Sequence, residues 1–196
     1  MMDILWIFAA YLLGSVPFGL VFARCVHGID PRETGSGNIG ATNVARLCGF
    51  GWGVCTLACD LGKGFAAAGI ALYINPNAIF VTLASFAAVA GHRWSCFMGF
   101  QGGKAVATSI GVFLPLAFWQ TFAALILCVG CILRSGFVSV GSLAFIASLP
   151  FFLLLTGVWR FIPLALAVAV VVIKAHEANI LRLLSGGEKS WKKDKS

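Results

Sequence analysis

Charge is scarce in this chain. Of 196 residues only 11% are Asp, Glu, Lys or Arg, against about 25% in ordinary globular proteins. So little charge cannot cover a water-facing surface. Acids are scarcer than bases, seven against 14, for a formal net charge of +7. Seven scattered carboxylates supply no multi-Asp metal motif. With three His, and none in a ligand pair at metal spacing, neither metal nor other cofactor is expected. His176-Glu177 is not a zincin motif, because no second His follows. The seven cysteines are odd in number and lie mostly in or beside apolar runs, which excludes a disulfide framework. Cys128-x-x-Cys131 sits mid-run with no His or acid nearby and reads as packing. A basic n-region is missing from Met1-Met2-Asp3, so the first apolar run reads as a retained span and not a signal peptide.

Apolar residues are plentiful, at 60%. Runs over about 4–24, 50–73, 78–92, 104–117, 118–134, 140–156 and 160–175 approach the ~20 residues a bilayer helix needs, although three are short. The expectation is an all-α polytopic integral membrane protein. It has about seven transmembrane helices in one domain, residues 1–188, and a basic tail, 189–196. Basic loops stay cytoplasmic. With the N-terminus outside and the C-terminus cytoplasmic, only Lys63 and Arg160 of the 14 bases fall off the inner face. All three His and every Gly-rich polar segment share that face, so chemistry is expected there. The tail, with four Lys from Lys189 on, reads as lying on anionic headgroups. No nucleic acid is expected as a partner.

Three inner segments carry candidate chemistry. Gly35-Ser36-Gly37-Asn38-Ile39-Gly40 imitates a dinucleotide fingerprint with Asp60 beyond it, but no strand precedes it and Asp60 belongs to an apolar helix. What remains is a loop of small residues, hydroxyls and amides (Ser36, Gly37, Asn38, Thr42, Asn43) opening onto a helix with Arg46, which suits an anion. The second segment, Gly91-His92 to Thr108, includes Gly102-Gly103-Lys104. It fails as a Walker A loop, since Met98 stands where Gly is required and Ala105 where the metal-binding hydroxyl belongs. Phosphate contact through Lys104 and the amides near Gly102 and Gly103 is expected nonetheless. Trp94, Phe97 and Phe100 read as an interfacial belt. In the third segment His176 and Asn179 share one face of a helix, while Glu188 reads either as an acid or as an arginine partner pinning its loop. Asp60 and Lys63, three residues apart at membrane depth, read first as a structural pair and second as a substrate contact. The hydroxyls from Ser135 to Ser142 read chiefly as helix caps. Lys63, His92 and Ser142 complete the set of candidate substrate contacts.

These segments, in order along the whole chain, resemble the bacterial acyl-phosphate:glycerol-3-phosphate acyltransferase family. The resemblance rests on Gly35 to Asn43 with Arg46, Asp60-Leu61-Gly62-Lys63-Gly64, Gly91-His92 with Phe97 and Gly102-Gly103-Lys104, and His176-x-x-Asn179-Ile180 with Arg182, Leu183 and Gly187-Glu188. It implies acyl transfer from acyl phosphate to the 1-hydroxyl of sn-glycerol 3-phosphate at the cytoplasmic face of the bacterial inner membrane. The product is lysophosphatidic acid, in the first acylation of phospholipid synthesis. It further implies that Ser36, Arg46, Lys104, His176 and Asn179 serve activity, that the Gly102-Gly103 loop holds phosphate, and that Glu188 preserves the site. A soluble enzyme that makes acyl phosphate is an implied partner. The His-x-x-x-x-Asp motif of thioester-using acyltransferases is absent, residues 32, 97 and 181 being Arg, Phe and Leu. An anion or phosphate-ester transporter is the rival class. It would place reactive groups on both faces, which the nearly uncharged outer turns do not supply.

Overall fold

Each apolar run forms a helix, as lipid requires of a backbone that has no water to bond. The computed structural model describes residues 2–191, and no strand occurs among them. Two compact units are present, one up to Leu116 and one from Ala117 on.

The first unit contains α1 (Met2–Ser15), α2 (Phe18–His27), α3 (Ala41–Cys48), α4 (Phe50–Ile74), α5 (Ala78–Arg93) and α6 (Val106–Leu116). The first apolar run, expected as one helix, is broken at Val16-Pro17, because proline has no N–H for the helical ladder. Close approach between helices rests on two reciprocal glycine contacts. A Cβ on Gly64 of α4 would lie 2.1 Å from the Thr108 carbonyl of α6, and one on Gly111 of α6 would lie 2.0 Å from the Leu61 carbonyl of α4. Gly14 of α1 and Gly91 of α5 do the same against Ala88 and Tyr11. Small residues at helix contacts are how membrane helices gain packing without a hydrophobic driving force.

The second unit contains α7 (Phe118–Ser135), α8 (Val138–Leu155), α9 (Ile162–Ala175) and α10 (Glu177–Leu184). Gly136, in the left-handed conformation, turns α7 into α8. Chain from the expected tail returns to this turn, where the Trp191 N–H and Ser190 Oγ both donate to the Gly136 carbonyl. Residues 192–196 of that tail lie outside the described residues.

Four helical segments are long and apolar enough to cross a membrane: Met2–His27 taken across its break, α4, α7 and α8. The pair Trp159–Ala175 and Glu177–Leu184, bent by 58°, makes up to five. The helices α5, α6 and α9, at 16, 11 and 14 residues, are the shorter runs of the expected seven.

Candidate active site

In the first unit the chain from Gly28 to Gly40 is set by two side-chain hubs. Asp30 accepts from Arg24 Nη2 at 2.8 Å, from Arg32 Nη2 at 2.6 Å and from the Arg32 backbone N–H at 3.0 Å. The Arg32 side chain and backbone, helped by Arg24 against the cost of burial, hold the Asp30 carboxyl well below the usual carboxylate range. Asn43, 2% exposed, is the second hub. Its Nδ2 donates to the carbonyls of Pro31, Asn38 and Thr34, and its Oδ1 accepts from the Ser36 N–H at 2.8 Å. Gly35, at φ +67°, lies so close that a Cβ would fall 2.2 Å from Asn43 Oδ1. The Ser36 side chain faces outward from this stapled loop, and Thr42 and Arg46, four residues apart on α3, are exposed beside it.

Asn43, expected among the substrate contacts, is the residue that folds the loop. The Gly37 N–H donates to the Thr34 carbonyl and the Asn38 side chain accepts from Gly40 N–H, so both support the turn.

The Trp94–Ala105 segment is anchored to the end of α1 by Tyr11 Oη, which donates to the Trp94 carbonyl at 2.7 Å, and by Ser95 Oγ, which donates to the Ser15 carbonyl at 2.6 Å. Trp94, Phe97 and Phe100 are exposed, as the belt reading requires. The Gly102 and Gly103 N–H groups donate to the carbonyls of Arg93 and His92, at 2.9 and 3.0 Å. Both amides, expected near phosphate, are here bonded to backbone carbonyls, and the missing side chain matters as well. A Cβ on Gly103 would fall 2.2 Å from His92 Nε2. Lys104, half-buried, follows directly and is succeeded by Ala105 at φ +63°.

Beneath this segment His92 is 4% exposed, with Nδ1 3.2 Å from Thr108 Oγ1 and 3.5 Å from Asp60 Oδ1. Lys63 Nζ lies 2.8 Å from Asp60 and donates to the Val16 carbonyl at the α1–α2 break. The structural pairing of Asp60 and Lys63 is present, and the sequence did not reveal His92 as its third member. Lys63 and His92, expected among the substrate contacts, are here each paired with Asp60, as buried polar groups must be paired.

In the second unit His176 closes α9 and opens α10, so it and Asn179 do not share one continuous helix, contrary to expectation. The imidazole Nδ1 lies 2.8 Å from the Val172 carbonyl. A carbonyl only accepts, so Nδ1 carries the hydrogen and Nε2 is the acceptor of the neutral ring. Glu188 joins three partners, accepting from Asn179 Nδ2 and Ser139 Oγ on one oxygen and from Arg182 Nε on the other. Burial raises its pKa, but bonds from Asn179, Ser139 and Arg182 outweigh it and leave the carboxyl below its usual value. An anion so held does not serve as an acid; of the two readings of Glu188 the arginine-paired one applies. Ser142, expected among the substrate contacts and read chiefly as a cap, lies inside α8, where its hydroxyl donates to the Val138 carbonyl one turn earlier at 3.0 Å and is 6% exposed.

A profile of the family described as glycerol-3-phosphate acyltransferase matches residues 4–186. The chain belongs to the glycerol-3-phosphate acyltransferase family. Among relatives of that name, the Desulfovibrio desulfuricans protein is 59% identical over all of this chain and 88% of its own. The Lawsonia intracellularis protein is 50% identical over 99% of this chain and 98% of its own. A crystal structure of PlsY (YgiH), an integral membrane glycerol 3-phosphate acyltransferase in its glycerol 3-phosphate form, superposes with a TM-score of 0.95. It is 35% identical and covers 98% of this chain and 96% of that one. The lysophosphatidic acid form of PlsY gives 0.91 at 34% identity, with the same coverage. This acyltransferase is therefore an all-helical integral membrane enzyme. Family membership leaves unremarked a cavity of about 450 Å³ in its first unit, between the stapled loop and the Trp94–Gly102 segment. Arg32 and Arg93 are among the residues lining it, neither singled out as a site residue from the sequence. The Asp-x-Arg spacing of residues 30 and 32 within a Gly-rich loop was the available signal for the first.

Proposed function

We propose that this acyltransferase moves a fatty acyl group from acyl phosphate to the 1-hydroxyl of sn-glycerol 3-phosphate, directly and without metal or acyl-enzyme. The products are lysophosphatidic acid and inorganic phosphate. The observation that carries this reading is the state of the histidines. The His92–Asp60 pair is buried with Lys63 under Gly103 and cannot deprotonate an incoming alcohol. His176 has a backbone carbonyl, not a carboxylate, behind Nδ1, which leaves Nε2 as the acceptor nitrogen of the neutral ring. A neutral acceptor nitrogen, with no carboxylate behind it, suits a donor whose leaving group is phosphate, since that acyl group arrives already activated.

In this reaction the glycerol oxygen attacks the acyl carbonyl, the bond from that carbon to the phosphate oxygen breaks, and the hydroxyl proton passes to His176 Nε2. Ser36, on its stapled loop, orients the acyl phosphate, while Arg46 and Lys104 stabilise charge on the departing phosphate. His176 and Asn179 orient the acceptor, the latter held by Glu188. The names of the matched structures, which include glycerol 3-phosphate and lysophosphatidic acid forms, support this acceptor and product. We read residues 1–188 as one domain of seven spans with the N-terminus outside and the site on the cytoplasmic face of the inner membrane. The family match across both units and the sidedness of the basic residues support that reading. The test supplies purified protein with labelled glycerol 3-phosphate and, separately, acyl phosphate, acyl-CoA or acyl-carrier protein. Lysophosphatidic acid is expected from acyl phosphate alone; formation from a thioester alone overturns the donor.

A further inference from the structure

An ammonium on a four-carbon stem is a flexible point charge, so what a fold sets most firmly is the main chain that carries it. At Lys104 that main chain is set by one buried ring. Before the lysine, the Gly103 N–H donates to the His92 carbonyl at 3.0 Å, and the His92 ring lies so close that a Cβ on Gly103 would fall 2.2 Å from Nε2 and 3.2 Å from Cε1. After the lysine, in the first turn of α6, Thr108 Oγ1 lies 3.2 Å from Nδ1 of the same ring. Between the two contacts lie Lys104 and Ala105, the latter at φ +63° and 1% exposed. A residue with a side chain keeps that left-handed conformation only where its surroundings over-determine it.

The ring is steadied from two helices. Its Nδ1 faces Thr108 of α6 and, at 3.5 Å, Asp60 Oδ1 of α4, whose partner Lys63 is tied to the Val16 carbonyl. A corner that only had to turn could rest on an apolar side chain. Here four buried polar groups, Asp60, Lys63, His92 and Thr108, converge beneath the residue before Lys104, at the desolvation cost such groups carry. We infer that His92 and Thr108 are positioning residues for Lys104: the imidazole, held by the hydroxyl, fixes the chain on both sides of the lysine and so the direction in which its ammonium meets phosphate. The inference rests on the phosphate-facing role proposed for Lys104. A displaced charge loses much of its hold on a transition state, so loss of either group should be read in rate more than in folding.

The experiment uses the full chain purified in nonionic detergent. Thr108→Val keeps the side chain's shape without its hydroxyl, and kcat/KM should fall about tenfold at parental Tm. Thr108→Ser, which keeps the hydroxyl, should return to within twofold of the parent. His92→Asn, which withdraws the ring from Gly103, should cost about 100-fold. Thr121→Val, at a fully buried threonine of α7 whose hydroxyl donates to its own helix, should match the parent. A second readout needs no turnover. Acetylation of Lys104 by limiting acetic anhydride, measured by peptide mass spectrometry against Lys189, should be about fivefold faster in Thr108→Val and His92→Asn, because the lysine is released from a fixed course. Lys104 labelling within twofold of the parent in either variant overturns the inference, as does a Thr108→Val protein with kcat/KM within twofold of the parent. A loss of rate matched by a loss of Tm, with Lys104 labelling unchanged, also overturns it by assigning both residues to folding alone. Either variant decides the matter if the other does not fold. Near-parental turnover in Lys104→Met, with faster Lys104 labelling in the two variants, would end the role proposed for Lys104 and leave its positioning standing, so the two failures are separable.

Discussion

At Ser36 and Asn43, seven residues apart and joined by one hydrogen bond, the division between acting on substrate and holding the loop is sharpest. Ser36→Ala removes an exposed hydroxyl, so kcat should fall about 100-fold or more with Tm unchanged; a near-parental rate in the labelled-acceptor assay removes Ser36 from the mechanism. Asn43→Asp keeps the acceptor but loses the Nδ2 donors, leaving three carbonyls short of a partner, and should lower both activity and Tm. Rescue is not expected from any side chain without a donor pair. Glu188 makes a pH prediction. Its folded pKa is depressed, so the stability it contributes is present above its unfolded pKa and is lost as pH falls through the lower folded value. Thermal melts across acid pH should show this loss in the parent and a flatter profile in Glu188→Gln. Residue types were legible in the sequence at this scale, but their duties were not. Asn43 looked like a ligand because amides bind phosphates; its partner Pro31 lies twelve residues away, across a turn no local pattern announces. Ser142 and Lys63 pose the same ambiguity, since a hydroxyl or ammonium near the polar end of a helix reads the same whether it meets substrate or backbone.

Helices were the most legible level, because apolar runs bounded by polar punctuation leave lipid-embedded backbone no other way to satisfy its hydrogen bonds. The break at Val16-Pro17 escaped that reading, since hydropathy does not change there. Lys63 reaches it from another helix, donating to the Val16 carbonyl, which also accepts from the Phe18 N–H, while paired with Asp60. Lys63→Met should therefore destabilise strongly, by about 3–5 kcal/mol, because it leaves a buried carboxylate without its cation. Pairing it with Asp60→Asn should recover much of that loss, as read by thermal melting in detergent. No recovery would mean that the Val16 bond, not the ion pair, is what Lys63 supplies. The glycine contacts predict that Gly64→Leu, which meets backbone at 2.1 Å, separates α4 from α6 and abolishes folded protein; Gly62→Leu, at an open position two residues earlier, should be tolerated.

For the whole molecule, the Lys and Arg distribution argues a single catalytic side. Cysteines introduced at residues 36 and 104 in an otherwise cysteine-free protein should label from the cytoplasmic side of sealed vesicles only; labelling of the two from opposite sides would end the shared-site reading. The sequence carried the family resemblance in full. It could not carry the cavity, whose walls come from segments more than fifty residues apart. The Asn43 staple has a final consequence. Because the loop's bonds close within the protein itself, an arriving phosphate ester meets preorganised geometry, and little conformational entropy is lost on binding. The backbone amides of Ser36, Gly37 and Gly40 should then resist hydrogen exchange in the unliganded enzyme nearly as well as with substrate present.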